Sequence, residues 1–223
     1  MSDLSVRLEE IQKQLRLAAY KSGKGNVQLV AVTKTVSQPL IAEALSLGLS
    51  SFGENRVQEA LPKVIAFPQA DWHFIGGLQT NKVKEVVGRF QLIQSLDRWK
   101  LAVALHDEAE AQGIVVRVLV QVNIGEEGQK GGIAPGELAD FLTDVAGLTC
   151  LQVEGLMTVP PVADDPEEVR PYFKKMAQLF IGCTIPGVQM KILSMGMSGD
   201  FTVAVEEGAT LVRVGSALFG ERK

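Results

Sequence analysis

Two patterns of apolar residues alternate along the chain. In residues 3–20, apolar side chains recur at steps of three and four residues, which predicts an amphipathic helix with Ser2 or Asp3 as its N-cap. Residues 27–33, VQLVAVT, form a continuous run rich in β-branched side chains, which is typical of a strand covered on both faces. The sequence therefore predicts a helix that precedes the first strand.

The strand pattern recurs through the rest of the sequence, and helical patterns separate the runs. The eight predicted strands lie at 27–33, 50–53, 72–75, 91–94, 115–123, 151–156, 190–193 and 210–214. The helical patterns between them lie at 37–48, 55–66, 80–88, 97–113, 135–147, 165–180 and 200–208. Strict alternation of strand and helix predicts a parallel (β/α)8 TIM barrel with an extra N-terminal helix. A doubly wound open sheet is the alternative, although the first turn, TKT, lacks the G-x-G-x-x-G signature.

Length and composition favour one large domain over two small ones. The 223 residues are 46% hydrophobic and contain no linker rich in proline, glycine or serine, so we expect residues 1–223 to form a single domain. The formal net charge is −4 and no basic stripe is present, so we expect no nucleic-acid partner. Cys150 and Cys183 lack CxxC spacing, so we expect neither a disulfide framework nor a zinc site.

The sequence also bears on the location of the protein. No apolar stretch approaches the roughly 18 residues that span a bilayer. The N-terminal segment lacks the charged and apolar regions of a signal peptide. We therefore expect a cytoplasmic protein without a membrane partner. We also expect a monomer, although no polar segment of the sequence stands out as a contact surface by which dimerisation could be judged.

Glycine and serine are concentrated in the two loops after predicted strands seven and eight, at 194–199 and 215–216. In barrels of this type the working site lies at the carboxyl ends of the strands, and these two loops often bind phosphate through backbone N–H groups and hydroxyls. Glycine lets the main chain approach an anion closely, and serine adds an O–H donor. The sequence therefore predicts a phosphate site here.

Lys34 follows directly on the first apolar strand, so its amine is expected to open into the mouth of the barrel. Partial burial disfavours the charged form of an amine, and a neutral amine condenses with a carbonyl compound. The alternative is a solvated lysine head on an apolar stem. Together with the phosphate site, Lys34 predicts a phosphorylated carbonyl ligand, either a sugar phosphate or pyridoxal 5'-phosphate (PLP).

Arg213 in predicted strand eight favours PLP over a sugar phosphate. PLP enzymes place a charged partner against the pyridine nitrogen. A guanidinium group stays protonated, so it would donate to an unprotonated ring nitrogen and weaken the ring as an electron sink. The alternative for Arg213 is an ion pair with Glu54 or Glu206.

Four further residues carry weaker signals. Asn55 could hydrogen-bond the ring hydroxyl of the cofactor or cap the helix that begins there. Met157 could pack on a flat ring or within the core. His73 and His106 have no partner at metal or triad spacing, so we assign them neither a catalytic role nor a metal.

Eight segments that span nearly the whole chain resemble the pyridoxal phosphate homeostasis proteins, whose fold is like the barrel domain of alanine racemase, PLP fold type III. These segments are AVTKT at 31–35, FGENRVQE at 52–59, WHFIGGLQTNK at 72–82, QSLDR at 94–98, VQVNIGEEGQKGG at 120–132, GLMTVPP at 155–161, LSMGMSGD at 193–200 and VRVGSALFG at 212–220. Two positions depart from the pattern: Gly77, where His or Pro is frequent, and Gln94, where His is frequent.

The resemblance implies a site. It implies that Lys34 carries PLP as a Schiff base, that Arg213 faces the pyridine nitrogen, and that Asn55 and Met157 lie nearby. The residues that the resemblance assigns to the phosphate are Ser194, Ser198, Gly215 and Ser216.

The leading hypothesis for function is a PLP-binding protein without catalytic activity that takes part in intracellular PLP homeostasis and in amino-acid and keto-acid balance, as the resemblance implies. The alternative is a PLP-dependent amino-acid racemase. In the similar barrel enzyme, racemisation needs a second base from an added β domain, and the sequence reaches Lys223 just after predicted strand eight, which argues against that reading. A Schiff-base aldolase that acts on a sugar phosphate is the third hypothesis.

Overall fold

Eight parallel strands pair in chain order and close into a barrel in the computed structural model, which describes residues 2–23 and 25–220. The strands are β1 (Gln28–Val32), β2 (Ser51–Glu54), β3 (Asp71–Phe74), β4 (Leu92–Leu96), β5 (Val116–Val122), β6 (Leu151–Thr158), β7 (Ile192–Ser194) and β8 (Leu211–Val214). Strand β8 pairs with β1 and completes the ring. The predicted (β/α)8 barrel is confirmed, and the open sheet is excluded.

Helices cover the outside of the barrel. They are α1 (Asp3–Lys21), α2 (Gln38–Ser46), α3 (Val57–Ala66), α4 (Val83–Val86), α5 (Trp99–Gln112), α6 (Leu138–Ala146), α7 (Arg170–Gly182), α8 (Phe201–Glu206) and α9 (Ser216–Phe219). Short 3-10 turns at Thr80–Lys82, Pro135–Glu137 and Pro166–Val169 lead into α4, α6 and α7. The side chain of Ser2 caps α1 by accepting a hydrogen bond from the backbone N–H of Ser5 at 3.2 Å. Helix α9 was not predicted.

The apolar core has two parts. The larger part lies between the strands and the helices. It includes the apolar side chains at steps of three and four in α1, which are Leu4, Leu8, Ile11, Leu15 and Ala18. The smaller part consists of Leu92, Leu119 and Met157, with Ile192 packed against them. Ile192 lies two residues before Ser194, whose side chain bonds to Gln94 across the barrel, so this smaller cluster fills the interior of the barrel.

A β-bulge in β6 determines which of its side chains face inward. Val118 pairs with Val153 but Leu119 pairs with Gly155, so Glu154 is the extra residue. Gly155 has φ 150, and a Cβ there would lie 1.9 Å from the carbonyl oxygen of Ile192. Only glycine fits this position, because any side chain would collide with β7. Beyond the bulge, the strand turns Met157 toward the interior cluster.

Three further observations concern cysteines, metals and membranes. Cys150 and Cys183 are free thiols. Within residues 2–23 and 25–220, no group of three His, Cys, Asp or Glu side chains is arranged to hold a metal ion. None of the helices in those two ranges combines the length and the apolar character that crossing a bilayer requires.

Candidate functional site

A cavity of about 280 Å³ opens at the carboxyl ends of the strands. Its walls combine apolar side chains, such as Val32 and Ile75, with a small set of polar groups. Six of the eight predicted site residues line it: Lys34, Asn55, Ser198, Arg213, Gly215 and Ser216. These residues come from the ends of β1, β2, β7 and β8, so the closure of the barrel brings together residues that are distant in sequence.

Lys34 lies at the boundary between this cavity and a second one of about 500 Å³. The second cavity has apolar walls that include Val36, Leu40 and Phe219. Lys34 is half-buried, and the next residue, Thr35, has φ 63. A left-handed backbone is rare for a β-branched residue, so the turn after β1 is strained beside the lysine.

Three buried polar residues form a hydrogen-bonded group that includes Thr33, the residue before Lys34. The Thr33 hydroxyl donates to Glu54 Oε1 at 2.6 Å, and Lys63 Nζ from α3 donates to the same oxygen at 2.7 Å. Lys63 Nζ also donates to the carbonyl oxygen of Thr33 at 2.7 Å. Glu54 is fully buried, and its Oε2 has no hydrogen-bond partner among the described residues. Our reading of the sequence assigned no role to Thr33 or Lys63 and gave Glu54 only as a possible partner of Arg213.

The loops after β7 and β8 are joined by one serine. Ser198 Oγ accepts hydrogen bonds from the backbone N–H groups of Gly215 at 3.1 Å and Ala217 at 3.2 Å. Its hydroxyl hydrogen stays available as a donor toward the cavity. Within the first loop, the Asp200 carboxylate accepts from the N–H of Met197, and burial raises the pKa of Asp200. These contacts fix both predicted phosphate loops against each other.

Arg213 is anchored by a hydrogen-bonded chain that crosses the barrel. Its Nη2 donates to the carbonyl oxygen of Thr158 at 2.8 Å, and its Nη1 donates to Ser194 Oγ. The Ser194 hydroxyl donates to Gln94 Oε1 at 2.7 Å. Because β7 and β4 are not neighbours in the sheet, this contact runs through the barrel interior. Burial lowers the pKa of Arg213 to about 10, so the guanidinium remains protonated at neutral pH.

His73 ends this chain. The Oε1 of Gln94 already accepts from Ser194, so its amide nitrogen faces His73 Nδ1, at 2.9 Å. Nδ1 is therefore the acceptor, and the proton of the neutral ring lies on Nε2. Burial, aided by the positive charge of Arg117, lowers the pKa of His73 to about 4. The sequence gave no role to His73, and the departure at Gln94 from the family pattern was the one signal that pointed here.

The structure decides two of the alternatives left open by the sequence. Arg213 does not pair with Glu54 or Glu206, because Lys63 binds the first and Arg170 the second. Asn55 does not cap α3, since the N-cap residue is Arg56 and the cap has no side-chain hydrogen bond. Asn55 instead lines the cavity, with its backbone against Gly76, where a Cβ would lie 2.2 Å from the Asn55 carbonyl oxygen.

Ser194 and Met157 are not among the residues that line the cavity. Ser194 is fully buried, and its hydroxyl is engaged with Arg213 and Gln94. Met157 belongs to the interior apolar cluster. Both residues lie on strands that lead to the cavity, so any effect they have on a ligand passes through its lining residues.

The chemistry of the cavity fits a phosphorylated, flat carbonyl compound. The cavity has apolar walls and six polar groups. These are an amine, a buried guanidinium, an amide, two serine hydroxyls and a glycine backbone. Ligand sites of small molecules commonly combine apolar walls with a few convergent polar groups. Hydroxyls and backbone N–H groups suit a phosphate, and the amine suits a carbonyl carbon.

Comparisons with known proteins agree with this geometry. The sequence profile of the family described as alanine racemase, N-terminal domain, matches residues 6–223. A pyridoxal phosphate homeostasis protein from Aquifex aeolicus is 46% identical over 222 residues, and the match covers 97% of each chain. The chain belongs to the pyridoxal phosphate homeostasis protein family.

Solved structures extend the comparison. The family member PipY from Synechococcus elongatus PCC7942, solved with PLP bound, is 35% identical, with a TM-score of 0.84 over 98% of this chain and 100% of that chain. Alanine racemase from Corynebacterium glutamicum is 17% identical, and its TM-score of 0.70 over 96% of this chain shows a shared barrel fold. The resemblance inferred from the sequence motifs is confirmed.

Proposed function

We propose that this protein binds PLP at the cavity at the mouth of the barrel and acts in intracellular PLP homeostasis and amino-acid and keto-acid balance, with Lys34 as the covalent anchor. One observation carries the proposal: six residues suited to a phosphorylated carbonyl compound line one cavity of about 280 Å³. The name of the Aquifex relative and the PLP-bound PipY structure support it.

Each polar group of the cavity has a role in this proposal. The Lys34 amine would condense with the carbonyl group of the ligand, so that a C–N bond replaces the C–O bond and the oxygen leaves as water. The Ser198 and Ser216 hydroxyls hold the phosphate, and Gly215, whose N–H is bonded to Ser198, has no side chain to keep the phosphate away from the main chain. Asn55 lies within reach of the ring hydroxyl. Ser194 acts indirectly because it fixes Arg213, and Met157 supports the cavity from the barrel interior.

Arg213 sets the electronic character of the bound ring. PLP acts as an electron sink when it is bound, and that capacity is greatest when its pyridine nitrogen is protonated. A guanidinium that is protonated and held by Ser194 and Thr158 donates hydrogen bonds and does not supply a proton. The site therefore favours retention of the cofactor over carbanion chemistry, and we propose a carrier or regulator without catalytic activity.

The proposed function also includes the partners, the location and the oligomeric state of the protein. The formal net charge of −4 argues against a nucleic-acid partner. We propose a cytoplasmic protein that acts as a monomer, with PLP as its small-molecule partner.

The test is an absorbance spectrum of the purified protein, mixed with PLP, before and after borohydride reduction, followed by peptide mapping. We expect a visible band that reduction removes and a pyridoxyl group on Lys34. The variant Lys34→Ala should lose both signals and keep its unfolding transition, because the side chain is only half-buried.

A matched control is Lys82→Ala, which removes a lysine from a surface pair with Glu85. It should keep the band and the Lys34 adduct. An adduct of parental yield in Lys34→Ala would refute the anchor, and a parent protein that takes up no PLP would refute the proposed function. Loss of α-hydrogen from an added amino acid at an enzymatic rate would favour the racemase.

A further inference from the structure

We propose that the buried ion pair of Glu54 and Lys63 is a positioning device for Lys34: it holds Thr33 and so fixes the backbone from which the Lys34 amine projects. We call Thr33, Glu54 and Lys63 the clamp. The inference rests on the proposed function only in taking Lys34 as the covalent anchor. The clamp itself is a feature of the protein without ligand.

Every polar atom of the residue before Lys34 has a hydrogen-bond partner, and the ion pair of the clamp supplies two of these bonds. The Thr33 N–H donates to the carbonyl oxygen of Gly53 at 2.9 Å, and its hydroxyl donates to Glu54. Its carbonyl oxygen accepts from Lys63 Nζ and from the N–H of Val36, at 2.7 and 2.9 Å. Thr33 is fully buried.

Stability alone does not account for a charged pair at this place. Glu54 has no exposed side-chain surface and Lys63 has 10%, so both charges are removed from water. Well-packed apolar residues commonly replace such a pair without loss of stability. Apolar replacements would fill the same space, but they could not bind the carbonyl oxygen and the hydroxyl of Thr33. The bonds to Thr33 are therefore what the pair adds.

Local backbone strain explains why Thr33 needs this support. Thr35 is held at φ 63, a conformation that a β-branched residue rarely adopts. Such a conformation persists only where the surrounding structure fixes it. The bonds on Thr33 hold one side of the strained turn, and Lys34 lies between the two residues. If the turn relaxed, the base of the Lys34 side chain would move.

A fixed backbone at Lys34 restricts the positions that its amine can reach. Bond formation with a bound carbonyl compound requires the amine to lie at the right distance and angle, and a displacement of about 1 Å can lower a rate by about 100-fold. The clamp therefore sets how fast the Lys34 adduct forms, without contacting the ligand. Among the residues that the structure describes as lining the 280 Å³ cavity, neither Glu54 nor Lys63 is present.

The experiment replaces the pair as a unit in the full chain, with Glu54→Met/Lys63→Met. The control is Arg117→Met/Glu154→Met, which removes the ion pair between β5 and β6. Two quantities are measured: hydrogen exchange of the Val36 amide in the protein without cofactor, and the rate at which added PLP forms an adduct that borohydride traps.

We expect the clamp variant to exchange the Val36 amide at least about tenfold faster and to form the adduct at least about tenfold more slowly. The control should match the parent in both. A folded clamp variant with parental exchange, or with faster exchange but a parental adduct rate, would overturn the inference. A parent that forms no adduct would refute the proposed function, while the exchange measurement still tests the clamp.

A second pair of variants serves if the double variant does not fold. Thr33→Val removes the hydroxyl bond to Glu54 with almost no change of shape, and Thr33→Ser retains the hydroxyl. The valine variant should form the adduct more slowly, and the serine variant should restore most of the parental rate. Equal rates in the two variants would contradict a positioning role. A slower serine variant would indicate a packing role instead, because serine lacks the methyl group that valine retains.

Discussion

Two buried carboxylates are paired with cations at different levels of the barrel. Glu54 ends β2 at the mouth, and its partner Lys63 contributes one bond to Oε1, while Oε2 has no described partner. Glu154 lies in the middle of β6, and Arg117, near the start of β5, binds both of its oxygens, at 2.9 and 2.6 Å. The side chain of Lys63 is 10% exposed and that of Arg117 is 37% exposed.

The two ion pairs differ in how completely their carboxylate oxygens are hydrogen-bonded. The lower pair has the bidentate geometry that makes Arg–carboxylate contacts strong, and the bond to Glu154 raises the pKa of Arg117. The pair at the mouth is drier, and one of its carboxylate oxygens has no partner among the residues that the structure describes. In barrels of this type the lower end contributes to stability and the upper end to function. The less satisfied pair therefore marks the functional end.

Removing one cation from each pair should give the largest difference between the two ends. Lys63→Met leaves the Glu54 carboxylate buried without a cation, and we expect the free energy of unfolding to fall by about 3–5 kcal/mol. Arg117→Met should cause a smaller loss, because Glu154 keeps a bond from Gln152 and water reaches the site of the arginine. Urea unfolding at neutral pH measures both changes.

Restoring neutrality provides the control. Adding Glu54→Met to Lys63→Met should recover most of the lost stability, since both buried charges are then gone. Equal losses in the two single variants would show that the two pairs are energetically equivalent.

His73 interacts with both ends of the barrel. The charge of Arg117 acts on it from the lower end. A chain of hydrogen bonds through Gln94 and Ser194 links it to Arg213 at the mouth. The pKa of His73 is about 4 in the folded protein and about 6.5 in an unfolded chain, so the unfolded state binds the extra proton between these values. Stability from this group is therefore complete above about pH 6.5 and declines as the pH falls toward 4. The full effect is on the order of 3 kcal/mol.

Urea unfolding of the parent and of His73→Gln at about pH 7 and about pH 4.5 isolates this contribution. Glutamine cannot take up the proton, so the parent should lose more stability on acidification than the variant does. Equal losses would show that protonation of His73 does not contribute to the loss of stability between these two pH values.

Much of the fold was predictable because it depends on local patterns. The run at 27–33 became β1 at Gln28–Val32, and the other seven strands match their predicted runs to within two residues at each end. Hydrophobic periodicity decides such elements within a few residues. The rule that sites lie at carboxyl ends then placed Lys34, Asn55 and Arg213 at one cavity.

The clamp and the interior chain were not predictable in the same way. Lys63 lies within a helical pattern where a lysine is normally solvent-exposed, and only the packing of α3 against β2 buries it. Ser194 reads as a loop serine, but it is the last residue of β7 and points inward. The face of Met157 depends on the bulge at Gly155, which no periodicity reveals.

The smallest predicted effect comes from an ion cluster on the outer surface. Arg170 pairs with Glu167, Glu206 and Glu207, and Lys21 pairs with Glu206, at distances of 2.6–2.9 Å. These bonds raise the pKa of Arg170 and lower that of Glu206. Despite the short distances, Glu206→Gln should lower the free energy of unfolding by less than about 1 kcal/mol, since both side chains of the Arg170–Glu206 pair are partly exposed and water screens their charges.

The salt dependence of stability distinguishes this ion cluster from the Glu54–Lys63 pair at the mouth. In roughly 1 M salt the screening length falls to about 3 Å, so the loss caused by Glu206→Gln should shrink toward zero. The loss caused by Lys63→Met should persist, because solvent ions do not enter the buried site of Glu54. Urea unfolding of both variants at low and high salt makes the comparison. If salt reduced the two losses equally, the Glu54–Lys63 pair would behave as a surface pair that water and ions reach.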